Sequence, residues 1–368
     1  MNTKRKTGIG IAMAVLIVAA LAALASADYS GDKPLTTWEH GVVDGKVMFV
    51  TVEDGSAYTK LWATGRVKPN LTQEITINIP NGGKVKMARL YNYYCWSTGY
   101  MNRPDEPGLP AEAKLTFINA TNNVTVKTCQ SPLTDTCLSC LEDTPPDRQN
   151  CTLPCRDALP NTIDYGNGVI QYWDTKGQNY SSTTWDYPSG TFAWNVTDLV
   201  TTGHNTYIAK IENIDSTPLK GERFVTFGFA LLVVYERPAS EPSTEETEYW
   251  INEGCECLMA RTFETPENDT TRTVFADREL PTVKKAKLTT VVMCSDGGNV
   301  KGTELPLNMV YFNGEEIGPS TAVNDRAIGV DTFTVIKYLQ SGDNIAEFQD
   351  RNDCEYPSNA ILVIKRTK

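Results

Sequence analysis

The chain has 368 residues, with 45 acidic and 34 basic side chains and a formal net charge of −11. Such an acidic protein repels nucleic-acid backbones and anionic membrane surfaces, so neither is expected as a partner. Its ten cysteines indicate an oxidising compartment, because disulfides persist outside the reducing cytosol.

Residues 1–27 have the three parts of a secretory signal peptide. A basic stretch at residues 4–6 precedes an uncharged apolar run over residues 8–24, and Ala25-Ser26-Ala27 fits a small-residue cleavage site. The apolar run is close to the shortest length that spans a bilayer, so an uncleaved membrane anchor is the alternative. We expect cleavage after Ala27, which leaves a mature protein that is secreted or at the cell surface, without a membrane insertion.

Short β-strands separated by turn signals make up the rest of the chain. Residues 75–79 alternate apolar and polar side chains, as a half-buried strand does. Further β-type runs span residues 47–52, 115–117, 288–293 and 308–312. Turn pairs such as Asn81-Gly82 and Asn313-Gly314 separate the runs. Because sustained helical periodicity is absent from the mature chain, the pattern predicts an all-β fold of antiparallel, jelly-roll-like β-sandwiches.

Three segments recur in the same order along the chain, which indicates an internal duplication. Residues 85–90 return at 283–288, residues 196–205 at 335–344, and residues 230–237 at 360–366. The offsets are 198, 139 and 130, so the first copy holds about 59 extra residues between its first and second segments. The last strand of each copy is continuously apolar, which predicts burial on both of its faces.

The duplication sets the predicted domains. The first β-sandwich domain covers residues 28–237 and carries a cysteine-rich insertion around residues 101–165. A polar, proline-bearing linker spans residues 238–248, and the second β-sandwich domain covers residues 249–368.

The cysteines divide evenly between the predicted domains, so every one can pair within its own domain. The first domain holds Cys95, Cys129, Cys137, Cys140, Cys151 and Cys155, and the second holds Cys255, Cys257, Cys294 and Cys354. The sequence does not fix the connectivity. Cys255 and Cys257 flank a single residue and do not suit a bond to each other, so we expect them to pair with Cys294 and Cys354, in either order.

A zinc site is the alternative for four of the cysteines in the first domain. The spacings Cys137-x-x-Cys140 and Cys151-x-x-x-Cys155 fit a four-thiolate zinc site. The expected oxidising compartment favours disulfides over zinc.

Seven Asn-x-Ser/Thr sequons predict a glycan-coated surface. They are Asn70, Asn119, Asn123, Asn150, Asn179, Asn195 and Asn268. Six of the seven lie in the first predicted domain, and we expect some of them to carry glycans.

Aromatic clusters supply the candidates for ligand binding. Tyr91, Tyr93 and their neighbours have the alternation of core strand residues, which favours a packing role. Trp173, Trp185 and Tyr187 lie beside predicted loops and are the candidate ligand-binding residues, since sugar rings stack on aromatic faces.

No cofactor is expected, except that calcium is a low-ranked candidate. Asp164, Asp174 and Asp186 lie in predicted loops, where carboxylate oxygens can hold Ca²⁺. Scattered loop aspartates are more often simply solvated.

Catalysis has little support in the sequence. Only two histidines occur, His40 and His204, and no zinc-protease, nucleophile-elbow or phosphate-loop motif is found. A glycoside hydrolase needs only two carboxylates at a suitable separation, so a secreted enzyme of this class stays as the lowest-ranked alternative. We expect the protein not to be an enzyme.

These residues give the chain a resemblance to a known family. Residues 29–41, 85–90, 196–205 and 230–238 resemble a family of secreted and cell-surface proteins of methanogenic archaea that is defined by a domain of unknown function. The resemblance implies an exported archaeal β-protein, often built of several such units, and it supplies no catalytic residue.

The sequence therefore predicts a disulfide-braced, glycosylated structural or interaction protein of the archaeal cell surface, part of an envelope, sheath or surface layer. Its expected partners are other cell-surface proteins or further copies of itself. The alternative is a carbohydrate-binding or adhesive module that uses the aromatic clusters and binds glycans.

Overall fold

The computed structural model describes residues 33–52, 59–62, 70–97, 110–120, 162–166, 168–175, 187–213, 223–260, 269–276, 282–295, 306–320, 328–351 and 354–368. Its first strands are β1 (Thr36–Val43), β2 (Gly45–Thr51), β3 (Thr59–Trp62), β4 (Asn70–Ile79), β5 (Lys84–Cys95), β6 (Ala113–Asn119), β7 (Thr162–Asp164), β8 (Val169–Asp174), β9 (Ser189–Asn195), β10 (Gly203–Asn213) and β11 (Arg223–Glu236). The later strands are β12 (Glu245–Glu253), β13 (Thr270–Phe275), β14 (Val283–Met293), β15 (Asn308–Phe312), β16 (Glu315–Pro319), β17 (Ile328–Thr334), β18 (Asn344–Asp350) and β19 (Tyr356–Thr367).

The strands form four sheets, two for each sandwich. The first sandwich has a small sheet in the order β4-β10-β6 and a large sheet in the order β2-β11-β5-β9-β8-β7, with β3 also paired to β11. The second has a small sheet β13-β18-β15-β16 and a large sheet β1-β12-β19-β14-β17. The strand pairs are antiparallel. The predicted all-β sandwich fold is confirmed.

The periodicity of the sequence accounts for the sheets. In β4, Ile75, Ile77 and Ile79 are buried, and the residues between them are exposed. A strand with one apolar face gains its stability by burying that face against the second sheet. β11 differs, because both of its faces are buried, as its continuous apolar sequence predicted.

The internal duplication has a structural counterpart. The backbone N–H of Val196 donates to Ala88, and that of Val335 donates to Ala286, at matching places in the two sandwiches. A short 3-10 helix follows each of these bonds, at Thr197–Leu199 and at Ile336–Tyr338. The second recurring segment therefore begins with the same backbone bond and the same short helix in both copies.

The third recurring segment is shifted by one residue relative to the sequence match. The match aligned Ala230 with Ala360, but Ala230 faces outward from the first sandwich and Ala360 faces the core of the second. Leu231 pairs with Leu90 as Leu362 pairs with Leu288. A shift of one residue moves a side chain to the opposite face of a strand, so the equivalent residues are Leu231 and Leu362.

The first strand lies outside the domain in which the sequence placed it. Residues 28–237 were expected to form the first sandwich, but β1 pairs with β12 in the large sheet of the second. The chain then turns at Asp44 and enters β2 of the first sandwich. The predicted linker 238–248 is also shorter in the structure, because β12 begins at Glu245.

The two large sheets face each other, which gives a stack of four sheets with three apolar layers. Alternate residues of β11 point in opposite directions: Leu231 and Val233 enter the core of the first sandwich, while Leu232 and Val234 enter a layer shared with the second. Within the described ranges, no helix is long and apolar enough to cross a membrane.

Candidate functional site at the domain junction

The layer between the two large sheets is called here the junction core. The first sandwich contributes Met87, Tyr91, Tyr93, Cys95, Tyr172, Ala193, Val225, Phe227, Ala230, Leu232 and Val234. The second sandwich contributes Val43, Tyr249, Ile251, Cys255, Cys257, Met259, Val291, Met293, Cys294, Tyr356 and Ile361. Burial of this apolar surface holds the two sandwiches together.

Glu253, at the end of β12, is the charged centre of the junction. The guanidinium group of Arg89 donates from Nε to Oε1 at 2.9 Å and from Nη2 to Oε2 at 2.7 Å. The hydroxyl of Tyr91 donates to Oε1 at 2.6 Å, and that of Tyr172 donates to Oε2 at 3.0 Å. All three donors belong to the first sandwich, so a carboxylate of the second domain is bound entirely by the first.

The surroundings fix the protonation states of these groups. Burial raises the pKa of Tyr91 well above its usual range, and the negative charge of Glu253 raises it further. The pKa of Tyr172 is raised for the same two reasons. Burial by itself lowers the pKa of Arg89, but the charge and hydrogen bonds of Glu253 outweigh this and keep the pKa above its ordinary value. Both phenols therefore stay protonated and the guanidinium stays charged.

Two further contacts complete this part of the junction. The ring of Trp38, from β1, lies 4.0 Å from the guanidinium carbon of Arg89 in a cation–π arrangement. The hydroxyl of Tyr93 donates to Oδ1 of Asn359 at 2.7 Å. The strand that crosses to the second sandwich thus covers the ion pair formed by Arg89 and Glu253.

The network is built to hold the domains together. Each oxygen of Glu253 accepts two hydrogen bonds, which fills the acceptor capacity of a carboxylate. A catalytic carboxylate needs a free lone pair or a proton to exchange with a substrate. The arrangement therefore has the chemistry of a buried, fully satisfied ion pair.

Sequence reasoning did not identify this network, although the sequence contains a signal. Arg89 stands within the apolar run of β5, and Glu253 follows the apolar residues of β12. A charged side chain in a strand that is buried on both faces requires a partner of opposite charge. The partner could not be named, because it lies 164 residues away in the other domain.

A second polar contact joins the N-terminal segment to both domains. The ammonium group of Lys33 contacts Oδ1 of Asp174, and the backbone N–H of Cys257 donates to Oδ2 at 2.7 Å. Burial raises the pKa of Asp174 to about 6, although the charge of Lys33 acts in the opposite direction. Asp174 was a candidate calcium ligand, but its two oxygens bind these protein groups.

Cysteines gather at the same junction. Sγ of Cys95 lies 3.0 Å from Sγ of Cys294 and 4.0 Å from Sδ of Met293. Sγ of Cys255 lies 3.5 Å from the carbonyl oxygen of Ser189, and Sγ of Cys354 lies 4.0 Å from the carbonyl oxygen of Cys294. The cysteines at 129, 137, 140, 151 and 155, with the alternative zinc spacings, lie outside the described residues.

Two of the three predicted ligand-binding aromatics lie within the described residues, and both are buried. Trp173 and Tyr187 are 4% and 8% exposed. Trp185 lies outside the described residues. Tyr91 and Tyr93 are fully buried, which confirms their predicted role in packing.

The remaining candidate residues are dispersed. Asp164 accepts a hydrogen bond from the N–H of Gly166, and Asp186 lies outside the described residues. His40 bonds Glu248 at 3.0 Å, whereas His204 lies on β10 in the other sandwich. In the part of the chain that the structure describes, no group of three or more His, Cys, Asp or Glu side chains is arranged to hold a metal ion.

The described sequons differ in exposure. Asn195 is exposed, Asn70 is half-buried, and Asn119 is only 4% exposed. Asn123, Asn150, Asn179 and Asn268 lie outside the described residues.

Comparisons with known proteins place the chain in a family without an assigned activity. A family model described as a protein of unknown function, DUF3344, matches residues 28–365. No curated protein matches the chain.

Several solved structures are distantly similar to the chain. The structure of recombinant N-glycanase F (PNGase F) is 9% identical, with a TM-score of 0.25, covering 87% of this chain and 96% of that one. PNGase F from Flavobacterium meningosepticum, described as a glycosylasparaginase, is 10% identical at a TM-score of 0.25, covering 88% and 96%. The cryo-EM structure of the Sputnik virophage has a TM-score of 0.23 at 8% identity, covering 89% and 87%.

Proposed function

We propose that this chain, which belongs to the DUF3344 family of proteins of unknown function, is an exported structural or interaction protein of the archaeal cell surface. Its two sandwiches form one braced body that presents its outer sheets and glycans to other surface proteins or to further copies of itself. It performs no chemistry of its own.

One observation carries this proposal: a buried ion pair and the two phenols bonded to it join the two halves of the chain. Arg89, Tyr91 and Tyr172 of the first sandwich bind the single carboxylate of Glu253, and each is buried. A site of this kind resists separation of the domains, because a buried charge that loses its partner is strongly destabilising. A braced body of β-sandwiches suits a load-bearing or scaffolding role.

Cell fractionation tests the proposal. Antibody-probed fractions of native cells should contain the protein in the envelope or the medium, with an N-terminus at Asp28 and with attached glycan. A cytoplasmic protein that keeps residues 1–27 would overturn the proposal. Hydrolysis of polysaccharides by the purified protein would overturn the claim that it has no catalytic activity.

A groove on the second sandwich supports carbohydrate binding as the alternative function. The groove has a volume of about 640 Å³ and is lined by Arg272, Tyr311, Glu347 and Gln349 on the outer face of the small sheet. The hydroxyl of Tyr311 donates to Gln349 at 3.1 Å and accepts from Arg351 at 2.6 Å. An aromatic ring among polar groups can stack against a sugar and bond its hydroxyls.

A glycan array distinguishes the two functions. Saturable binding of one glycan by the wild-type protein, lost in Tyr311→Ala and retained in Trp185→Ala, would favour the groove. Binding lost instead in Trp185→Ala would favour the site predicted from the sequence, and an array without saturable binding would favour the structural role.

A further inference from the structure

We propose that Cys95 and Cys294 form a disulfide that covalently joins the two sandwiches. Their sulfur atoms lie 3.0 Å apart, about 1 Å farther than a disulfide bond of about 2.05 Å. Cys95 ends β5 of the first sandwich, and Cys294 directly follows β14 of the second. The pairing differs from the within-domain bonds that the even cysteine counts suggested.

The surroundings suit a bond between the two sulfurs. Cys95 is 0% exposed and Cys294 is 1% exposed, within the apolar junction core. Met293 packs against Cys95, with its sulfur 4.0 Å away. A disulfide has no polar hydrogen, so it suits an apolar layer at least as well as two thiols do.

The duplication explains why these positions meet. β5 and β14 are equivalent strands, and they lie in the two large sheets that face each other across the junction. The end of one therefore comes close to the end of the other. In the structural alignment Cys95 corresponds to Met293, and Cys294 follows one residue later, so the two sulfurs come from adjacent positions of the repeat.

The bond requires an oxidant, which we take to be an oxidised thiol–disulfide carrier. The thiolate of Cys95 attacks the carrier disulfide, which gives a mixed disulfide and releases one carrier thiol. The thiolate of Cys294 then attacks the sulfur of Cys95 and releases the second carrier thiol. The two cysteines are oxidised by two electrons, the carrier disulfide is reduced by two, and the two cysteine protons end on the carrier thiols. Because both sulfurs are buried, the exchange has to precede the final docking of the domains.

Peptide mapping tests the pairing directly. After tryptic cleavage, Cys95 lies in residues 90–114 and Cys294 in residues 288–301, and neither peptide contains another cysteine. The mature protein, refolded in a glutathione redox buffer and digested without reductant, should give these two peptides as one linked species. The species should vanish on reduction and in Cys95→Ser, while Cys354→Ser should retain it.

The disulfide rests on the proposed function in one respect, since in native cells the bond forms only if the protein is extracellular. Different results contradict the pairing and the extracellular location. Cys95 or Cys294 linked to a different cysteine, or both recovered as thiols from folded protein in the redox buffer, would overturn the pairing. A linked species in refolded protein but thiols in protein isolated from cells would leave the pairing intact and overturn the extracellular location. Circular dichroism of each variant establishes that it has folded.

Discussion

At the scale of single residues, the removal of one partner from the buried ion pair of Arg89 and Glu253 should be strongly destabilising. Glu253→Gln should destabilise the protein by about 3–5 kcal/mol, because it leaves a buried guanidinium without its counter-charge. Urea unfolding monitored by tryptophan fluorescence measures the change. The control is Glu245→Gln, which alters an exposed pair with Lys284 and should leave the midpoint unchanged.

The double variant Arg89→Gln/Glu253→Gln separates a pair effect from a general loss of packing. Removing both charges leaves no unpaired buried ion, so the double variant should be less destabilised than the sum of the single variants. Additive effects of the two substitutions would show that the groups do not act on each other.

Asp174 makes the stability depend on pH. Its pKa is raised by burial to about 6 in the folded protein, above an unfolded value of about 3.9. The folded state therefore binds the proton more tightly than the unfolded state does. The contribution of Asp174 to the free energy of unfolding is fully present below about pH 4 and is lost as the pH rises through 6. The loss amounts to about 3 kcal/mol.

Thermal unfolding between pH 4.5 and 7.5 checks the titration of Asp174. In Asp174→Asn the amide cannot ionise, so the fall in melting temperature with rising pH should be smaller than in the wild type. Asp198→Asn, an exposed position, should follow the wild type. Parallel profiles for the wild type and Asp174→Asn would contradict the assignment.

The sequons Asn119 and Asn195 should differ in glycosylation. The amide of Asn119 is buried and donates to Thr201, so an attached sugar has no room in the folded protein. Asn195 is exposed, and its Oδ1 accepts from the hydroxyl of Thr197 at 2.7 Å. Glycopeptide mass spectrometry should find glycan on Asn195 and not on Asn119. A glycan on Asn119 in folded protein would contradict the burial.

At the scale of elements, β1 is the strand on which the junction depends. It pairs with β12, carries Trp38 over Arg89, and follows Lys33, which contacts Asp174. A chain that starts at Asp44 should lose stability and self-associate, since an uncovered β12 edge presents unpaired backbone groups. A chain that starts at Lys33 is the matched control and should elute from a size-exclusion column in the same assembly state as the mature protein. Equal behaviour of both chains would refute this role of β1.

The sequence predicted the strands but not all of their partners. Alternation in residues 75–79 and the apolar runs of β11 and β19 follow from burial on one face or on two, which is a local property. The pairing of β1 with β12 joins residues about 200 positions apart and leaves no local pattern. The match of Ala230 with Ala360 was wrong by one residue for a different reason. The sequence of an apolar strand with two buried faces does not reveal which face a residue occupies.

At the scale of the whole molecule, the docking of the two large sheets explains the burial of the tyrosines between them. The sequence predicted two sandwiches joined by a polar linker at residues 238–248, and no pattern in it indicated that the two pack face to face. Docking buries the face that each large sheet turns away from its own sandwich, and residues such as Tyr91 and Tyr172 lie within the protein. Domain docking depends on the shapes of two folded surfaces, which no local sequence pattern encodes.

Docking also constrains the disulfides of the whole chain. A bond between Cys95 and Cys294 leaves five cysteines in the first predicted domain and three in the second. Both numbers are odd, so complete pairing of all ten requires a second bond between the domains. Cys255 is the expected second-domain partner, because its sulfur lies against the carbonyl oxygen of Ser189 in the first sandwich.

Cleavage at a protease site engineered into residues 239–242, which are exposed, tests this count. On a denaturing gel without reductant, the cleaved wild type should migrate at full mass, because the disulfides between the domains still join the two fragments. Cys95→Ser should also stay at full mass through the second bond, whereas Cys95→Ser/Cys255→Ser should separate into two fragments. Separation of Cys95→Ser alone would show that the bond at Cys95 is the sole covalent link, in which case some of the remaining cysteines must be thiols.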